Sequence, residues 1–336
     1  MMEKDFLVSV IIPNYNHSSF LKDRIESVIA QTYNNYEVIL MDDCSKDNSR
    51  DIIEEYRLHP KVSQVIFNEV NSGITFKQWN KGISAAKGEY IWIAESDDVA
   101  SPLFLEKIMA PIMSDEKIVL SFSQSYRMDH KGSVTGSWLD FMKSTDKDLF
   151  LTDFVVEGSE FIKRSLLFKN TIPNASSLVF KKSAYLEIGG ADTTLKYCSD
   201  WLTWLKIATV GKVSFNTSPL NYFRYHQNSV IAKSKVSKEI FKKKYDIILR
   251  ELFAKFLKSS SPDTAILEAN EKEKQAEIEI EKFVILKAEK KYLSAVGVIF
   301  PKIFDNRFFK MFIDVMKESI SEKVNKTMLK KLRKQV

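Results

Sequence analysis

Two Asp-Asp pairs stand out in the chain, at 42–43 and 97–98, each shortly after a run of apolar residues. Glu95 lies two residues before Asp97, so on an extended segment the two carboxylates point the same way. Carboxylate oxygens are the ligands that Mg²⁺ and Mn²⁺ prefer, and Mg²⁺ is usually held by one or two of them together with substrate phosphates. Asp97 and Asp98 are therefore candidate metal ligands. Both pairs also have a simpler explanation, since Asp after a strand often makes a turn or caps the next helix.

The elements that would position these carboxylates alternate between strand and helix. Apolar runs of strand length are separated by segments in which apolar residues recur at helical spacing. The predicted strands are 8–12, 36–41, 62–67 and 90–94, and the predicted helices between them are 18–32, 47–56 and 76–86. This order favours an α/β fold with parallel βαβ units and right-handed crossovers. Ligands bind beyond the carboxyl ends of such strands, so we expect residues 13–16, 42–43 and 95–98 to meet at one edge.

The pattern changes after Pro102. We predict an irregular polar loop over residues 128–156 and an almost continuously helical chain from Ser234 onward. The other predicted elements are helices at 102–113, 160–167, 184–188 and 199–209 and strands at 118–126, 177–180, 213–215 and 220–225. The chain is therefore expected to contain a catalytic domain, 1–233, and a basic helical extension, 234–336.

Four ordered blocks in the first 98 residues resemble the family 2 glycosyltransferases of the GT-A fold. They are a Pro-x-Tyr-Asn turn, a Gln-Thr-Tyr stretch, an Asp-Asp-x-Ser-x-Asp turn and a longer segment that ends in Asp-Asp. The matching residues are Pro13, Tyr15 and Asn16; Gln31, Thr32 and Tyr33; Asp42, Asp43, Ser45 and Asp47; and Asn71, Gly73, Asn80, Gly82, Gly88, Asp97 and Asp98. The resemblance covers about residues 7–230. It implies a Rossmann-like, mostly parallel sheet flanked by helices, with the α-helical C-terminal extension added to it.

The resemblance also implies a role for each block. Asp43 would contact the nucleotide base, with Tyr15 stacking nearby in the turn that contains Pro13. Asp97 and Asp98 would hold the donor ribose and a divalent metal, Mn²⁺ or Mg²⁺. Such a cation neutralises the charge that builds on the leaving diphosphate when the sugar–phosphate bond breaks.

A general base is the other requirement, because the acceptor hydroxyl loses a proton as it attacks the anomeric carbon. Asp200, in CSDWLTWLKI, matches the Asp that serves as the base in many family members. Its alternative role is only to begin the predicted helix. Arg224 and His226, in FRYHQNSVI, resemble the Tyr-Arg-x-His-x-x-Ser ending of the family's catalytic domain. His226 would approach the diphosphate or the metal, and a purely structural role stands equally open.

Several positions depart from the family's pattern. Glu95 stands where the family usually has Asp, and Trp79 stands where an Arg usually precedes the Asn. Lys77 is near enough in sequence to supply that charge, so it is a candidate for binding the donor. Ser199 replaces a Glu beside the proposed base, and Ala191 replaces a Phe in the loop before it. These departures keep a second interpretation open, a catalytically inactive scaffold that binds nucleotide-sugar on the same fold.

The charge of the chain is unevenly distributed. Residues 1–233 hold 26 basic and 29 acidic residues, whereas residues 234–336 hold 24 and 15, and the whole chain is net +6. Since the body is near neutral, a nucleic-acid partner is not expected. In the tail, residues 295–316 combine five Phe with basic residues. This segment is predicted either to pack on the catalytic domain or to make a peripheral membrane contact, with an RNA-binding helix as the weakest alternative.

The two cysteines, Cys44 and Cys198, cannot form a disulfide framework and belong to no metal-ligand cluster. Neither a targeting segment nor an 18-residue apolar run is visible, so we expect a cytoplasmic protein that is peripheral on the inner face of the membrane at most. The resemblance implies metal-dependent, inverting transfer of a sugar from a nucleotide-sugar, most simply a UDP-sugar. It also implies an acceptor hydroxyl on a glycan or lipid-linked sugar in polysaccharide biosynthesis.

Overall fold

The computed structural model describes residues 5–226, 238–259 and 263–288, together with Val298. The described residues fall into two compact units. The first unit contains the described residues up to 226 and those of 252–269. The second unit contains residues 238–251 and the described residues from 270 onward. The division into domains 1–233 and 234–336 stays a prediction.

The first part of the chain alternates between strand and helix. Its strands are β1 (Val8–Asn14), β2 (Tyr36–Asp42), β3 (Val62–Phe67) and β4 (Tyr90–Ile93), and its helices are α1 (Ser18–Ile29), α2 (Ser49–Tyr56) and α3 (Thr75–Ala85). β1 pairs in parallel with β2 and with β4, and β2 pairs in parallel with β3. Every residue of β1, β2 and β4 is buried, which is typical of parallel strands covered by helices on both faces.

Helix α3 lies very close to this sheet at one glycine. A Cβ atom added at Gly82 would lie 2.6 Å from Cγ2 of Ile11 and 2.8 Å from the sulfur of Met41. A side chain at this position would therefore push α3 away from β1 and β2. The close approach of α3 to the sheet matters for function, because the side chains of the residues just before Gly82 contact the candidate site.

The second part of the chain extends the sheet with strands of both directions. Its strands are β5 (Val99–Ala100), β6 (Ile118–Met128), β7 (Val134–Ser137), β8 (Phe154–Glu157), β9 (Leu178–Lys181) and β10 (Lys212–Arg224). Its helices are α4 (Phe104–Ser114), α5 (Leu139–Lys143), α6 (Gly158–Phe161), α7 (Lys182–Glu187) and α8 (Ser199–Ala208). The strand order is β3-β2-β1-β4-β9-β6-β10-β5, with β7 paired to β6 and β8 paired to β10. β9 is antiparallel to both neighbours, whereas β6 and β10 are parallel to each other. The expected α/β fold, a large sheet flanked by helices, is thus confirmed. The sheet is parallel among β1–β4 and mixed beyond them.

Two local expectations for the second part were wrong. The predicted loop at 128–156 contains β7, α5 and β8, whose short sequences carry too little periodicity to be recognised. The predicted strands 213–215 and 220–225 form the single strand β10, with shifts of register at Asn216 and Pro219. Proline has no backbone N–H to donate to a strand ladder, so in the sequence Pro219 looks like the end of a strand although it lies inside β10.

The C-terminal part is helical where the structure describes it. Its helices are α9 (Lys238–Ser259) and α10 (Thr264–Ala288), and each contributes residues to both compact units. No described helix is both long enough and apolar enough to cross a membrane. The aromatic and basic segment 295–316 lies outside the described residues, apart from Val298.

Candidate active site

The candidate site lies at the carboxyl ends of β1, β2 and β4. Asn14 and Asp42 are paired in register at the ends of β1 and β2, so the turns that follow these strands emerge side by side. The turn after β4 joins them, since β4 pairs in parallel with β1. Pro13 lies buried near the end of β1, and Tyr15 is 41% exposed just beyond it. The structure therefore brings the three polar segments to one edge of the sheet.

The two residues of the first Asp-Asp pair are held differently. Asp42 is fully buried and accepts hydrogen bonds from Asn14 Nδ2 at 3.0 Å, from the Ser45 amide at 2.9 Å and from Arg50 Nε at 2.9 Å. These contacts close the turn after β2. Asp42 therefore stabilises this turn and does not cap the next helix.

Asp43 is buried just beyond the end of β2. It accepts hydrogen bonds from Asn68 Nδ2 at 2.7 Å, from Ser72 Oγ at 2.7 Å and from Gln78 Nε2 at 2.9 Å. The Ser72 amide donates to both carboxylate oxygens as well, at 3.0 Å. This many donors fix the carboxylate in one orientation. Lys77, the other candidate in this region, is exposed on α3.

Asp97 lies in a group of possible metal ligands. His226 Nε2 is 2.9 Å from Asp97 Oδ2. Ligand atoms of His17, Asp97 and His226 all lie within 4.8 Å of one another, and His17 Nδ1 is 2.8 Å from Ser96 Oγ. One carboxylate with two imidazoles suits Mn²⁺ better than Mg²⁺, which prefers an all-oxygen set. The residues present therefore fit a divalent transition metal.

Asp98 occupies a more enclosed position than Asp97. It is 1% exposed and accepts hydrogen bonds from the Arg224 amide at 2.9 Å and from Asn174 Nδ2 at 2.5 Å. Arg24, also fully buried, places Nη2 3.9 Å from the Asp98 carboxylate. The Arg224 side chain donates from Nε to the carbonyl oxygen of Asp97 at 2.9 Å. These contacts fix the turn after β4 and the end of β10 relative to each other.

Burial shapes the electrostatics of this turn. Burial and the neighbouring charge of Asp97 raise the pKa of Asp98 and raise the pKa of Glu95 to about 8. Burial acts in the same direction on Asp97, but the hydrogen bond from His226 and the charge of His17 lower its pKa overall. Burial lowers the pKa of Arg24 to about 10 although Asp98 lies beside it. Asp97 is thus the carboxyl group of the turn that most favours its ionised form.

Two of the departures from the family's pattern, Trp79 and Glu95, contact each other. Trp79 Nε1 donates a hydrogen bond to Glu95 Oε1 at 2.8 Å, and the indole is 2% exposed. On its far side the Trp79 ring stacks on Trp204, with centroids 5.8 Å apart and planes 28° apart. Because Trp204 belongs to α8, this pair connects the turn after β4 with the helix that begins at the proposed base. The longer acid at 95 and the indole at 79 are therefore one structural unit.

Three consecutive side chains of α3 each hold a different part of the site. Gln78 donates to Asp43, and Trp79 donates to Glu95. Asn80 donates to the carbonyl oxygen of Ala191 at 3.0 Å and so fixes the loop that precedes α8. Since successive helical residues point about 100° apart, one helix contacts three segments at once.

Asp200 lies in the first turn of α8. Cys198, just before the helix, adopts a left-handed backbone with φ of 62°. Asn170 Nδ2 donates to Asp200 Oδ2 at 2.9 Å. Burial raises the pKa of the Asp200 carboxyl, and nearby backbone amides and Asn170 only partly offset this effect. Asn170 lies four residues before Asn174, so one short segment contacts both Asp200 and Asp98.

Several contacting residues escaped the sequence reasoning. His17 follows the first turn directly, and its place after a Pro-x-Tyr-Asn motif was the available signal. Gln78, Asn170 and Asn174 act through side-chain amides, and no spacing in the sequence connects them with their carboxylate partners. Cys44 and Cys198 form no disulfide bond with each other.

Comparisons with known proteins agree with this architecture. The model of glycosyl transferase family 2 matches residues 9–169. The chain is similar to Glycosyltransferase GlyG of Streptococcus pneumoniae serotype 4, with 36% identity over 181 residues, 54% of this chain and 54% of GlyG. The match therefore spans about half the length of that relative.

Two solved structures share the fold at low sequence identity. S. aureus TarS 1–349 in complex with UDP-GlcNAc has a TM-score of 0.63 and 20% identity, over 90% of this chain and 82% of that one. The mannosyltransferase PcManGT from Pyrobaculum calidifontis, in complex with GDP-Man and Mn²⁺, has a TM-score of 0.53 and 16% identity, over 91% and 83%. With the sheet described above, these likenesses show that the chain shares the fold of these glycosyltransferases, and its residues 9–169 match the model of glycosyl transferase family 2.

Proposed function

We propose that the chain transfers a sugar from a nucleotide-sugar to a hydroxyl of a glycan or lipid-linked acceptor, with inversion at the anomeric carbon. The observation that carries the proposal is the segment 170–174. Its Asn170 contacts Asp200 and its Asn174 contacts Asp98, so a potential base and the acidic turn after β4 are positioned by one stretch of five residues. A donor bound at the turn would thereby lie within reach of Asp200.

The donor's nucleotide is assigned to the edge formed by β1 and β2. Tyr15 offers a partly exposed ring for stacking, and Asp43 offers a carboxylate whose orientation its donors fix. A UDP-sugar is the proposed donor, because TarS was solved in complex with UDP and with UDP-GlcNAc. GDP is the competing nucleotide, since PcManGT was solved with GDP-Man. Lys77 is assigned a contact with the donor phosphates.

Asp97, His226 and His17 are assigned to a divalent metal, with Mn²⁺ as the proposed ion. Such an ion neutralises negative charge on the leaving diphosphate when it is bound. Asp98 is assigned a positioning role, because both of its oxygens already accept hydrogen bonds from Arg224 and Asn174. Glu95 is assigned to the same turn and is oriented by Trp79.

Asp200 is assigned the role of general base. Its carboxylate would accept the proton of the acceptor hydroxyl while that oxygen attacks the anomeric carbon and the bond to the diphosphate breaks. Asn170 holds one carboxylate oxygen, and the raised pKa makes the group a better proton acceptor than an ordinary exposed Asp. Proton removal and bond formation in one displacement give inversion.

The setting is proposed from the same assignment. A glycan or lipid-linked acceptor belongs to polysaccharide biosynthesis, and the enzyme would meet it at the cytoplasmic face of the membrane. The C-terminal helices are proposed as the peripheral membrane contact.

A screen of sugar nucleotides tests the donor and the metal together. Thermal shift with and without Mn²⁺ should identify a UDP-sugar that stabilises the protein only with the metal. Asp97→Asn should remove the metal-dependent part of the shift, and Arg57→Gln, a surface change outside the site, should leave it intact. Release of free UDP in the absence of acceptor then separates an enzyme from an inactive scaffold. A shift with no UDP release by the wild type, with or without acceptor, would favour the scaffold.

A further inference from the structure

An aromatic and basic cluster lies beside the candidate site and takes no part in the contacts described so far. The Arg127 guanidinium carbon is 4.7 Å from the centroid of the Trp138 ring. Trp138 in turn contacts Phe141, Phe223 and Tyr225, with centroids 4.9, 5.6 and 6.4 Å away. This set of five residues, the Trp138 cluster, joins the ends of β6 and β10 to the segment of β7 and α5.

Among the described residues, Arg127 has no carboxylate partner of the kind that comparable arginines have. Arg50, Arg164 and Arg224 each lie within 3.2 Å of a carboxylate oxygen. No described residue forms an ion pair with Arg127, and its enclosed Nε donates to no described acceptor. The enclosed Nε1 of Trp138 likewise donates to no described acceptor. Buried donors normally find acceptors, so two such donors in one cluster favour an acceptor group that the described residues do not supply.

The Trp138 cluster extends from the residue next to His226 to the segment that contacts Asp200. At one end Tyr225 directly precedes His226, one of the proposed metal ligands. At the other end Lys169 Nζ lies 4.2 Å from the centroid of the Phe141 ring, and Asn170 beside it contacts Asp200. A molecule that presents a hydroxyl to Asp200 would therefore pass along this cluster.

We propose that Arg127, positioned over the Trp138 ring, binds an anionic group of the acceptor saccharide, and that Lys169 adds a second positive charge to this subsite. The proposal rests on the proposed function. A guanidinium with one face covered by a ring still has its edge available, and that edge matches the two oxygens of a carboxylate or a phosphate. Sugars carrying either group share this chemistry, and neutral sugars lack it.

The test is an array of oligosaccharides in matched sets that differ only in a neutral hydroxyl, a uronate carboxylate or a phosphate monoester. Wild-type protein should retain anionic members in preference to their neutral partners. Titration of the tightest member should show a loss of about tenfold or more in Arg127→Gln, as expected for a charge-assisted pair. Arg57→Gln is the matched control, because Arg57 also lies over a ring, that of Phe67, but pairs with Glu54. Its affinity should equal that of the wild type.

Further outcomes distinguish a carboxylate ligand from a phosphate ligand. They also distinguish failure of the proposed subsite from failure of the proposed function. A carboxylate ligand should lose affinity in Arg127→Lys, which lacks the planar fork, whereas a phosphate ligand should lose less. Mn²⁺-dependent UDP binding should be equal in wild type and Arg127→Gln, so its absence from both would overturn the proposed function and not the subsite. An array in which anionic members bind no better than neutral ones, or bind equally well to Arg127→Gln, would overturn the subsite.

Discussion

The end of the site around Asp43, assigned to the nucleotide, and the end around Asp200, assigned to the base, are built in contrasting ways. Asp43 accepts hydrogen bonds from Asn68, Ser72 and Gln78, all of which follow it within 35 positions of the chain. Asp200 receives a side-chain hydrogen bond from Asn170, and Cys198 before it adopts a left-handed backbone. The first end comes from consecutive βαβ units, and the second comes from segments that the tertiary fold brings together.

The difference teaches how the two carboxylates are suited to their proposed tasks. A carboxylate surrounded by donors has a fixed direction, which serves recognition of a donor molecule. A buried carboxylate with few donors has a raised pKa, which serves the removal of a proton. Changes at the two ends should therefore affect different steps, and each experiment below sharpens or breaks that separation.

The largest effect is expected from Asp200→Asn. The amide keeps the shape of the side chain but cannot accept a proton from the acceptor, so transfer should fall by about 10²–10⁴-fold while donor binding stays unchanged. Because the raised pKa means that ionised Asp200 costs folding free energy near neutral pH, the neutral variant should also be at least as stable. Transfer assays and thermal melts measure both. Transfer at the wild-type rate would remove Asp200 from its assigned role.

A smaller effect on a different property is expected at the turn after β4. Asp97→Asn removes a charged ligand, so Mn²⁺-dependent UDP affinity measured by calorimetry should fall by about tenfold or more. Asp98→Asn replaces one of the two accepting oxygens of a residue assigned to positioning and should lower stability, but its loss of metal-dependent affinity should be the smaller of the two. If Asp98→Asn lost more metal-dependent affinity than Asp97→Asn, Asp98 would be assigned as the metal ligand instead.

The acidic limb of the pH profile should respond to Asn170. The base acts only when ionised, so transfer should rise with pH through the raised pKa of Asp200. In Asn170→Ala the ionised carboxylate loses a hydrogen bond, and its pKa should rise further, which moves the limb to higher pH. Asn216→Ala, in a surface contact with Asp153, serves as the control and should leave the limb in place. A limb that does not move would separate Asn170 from the function of the base.

The smallest effect is expected from the Trp79 indole, which connects the turn after β4 with α8. Trp79→Phe removes the hydrogen bond to Glu95, whereas Trp204→Phe removes an Nε1 donor that has no described acceptor. Both leave a similar cavity, so the difference between their free energies of unfolding reports the hydrogen bond. Trp79→Phe should be the less stable by about 1–3 kcal/mol in chemical denaturation. Equal losses would mean that the Trp79–Glu95 contact adds nothing to stability.

The sequence was most informative where contacts are local. The alternation of strands and helices in the first 95 residues predicts the paired ends of β1, β2 and β4, because apolar runs and turn residues specify that unit themselves. The family pattern adds the identity of the polar turns. Both are read from neighbouring residues.

The rest depends on contacts that no spacing in the sequence reveals. Asn174 reaches Asp98 across 76 positions, and the Arg224 amide reaches it across 126. The pairing of Trp79 with Glu95 was also invisible, although both were recognised as departures from the family. Short elements such as β7 and α5 escaped because four or five residues cannot establish a period.

The separation of the two ends is tested most directly by steady-state kinetics of Asp43→Asn and Asp200→Asn side by side. The donor identified by the sugar-nucleotide screen and an acceptor from the array would be used for both. We expect Asp43→Asn to raise KM for the donor with kcat largely kept, and Asp200→Asn to lower kcat with KM for the donor kept. If both variants changed the same parameter, the assignment of recognition to one end and proton transfer to the other would be contradicted.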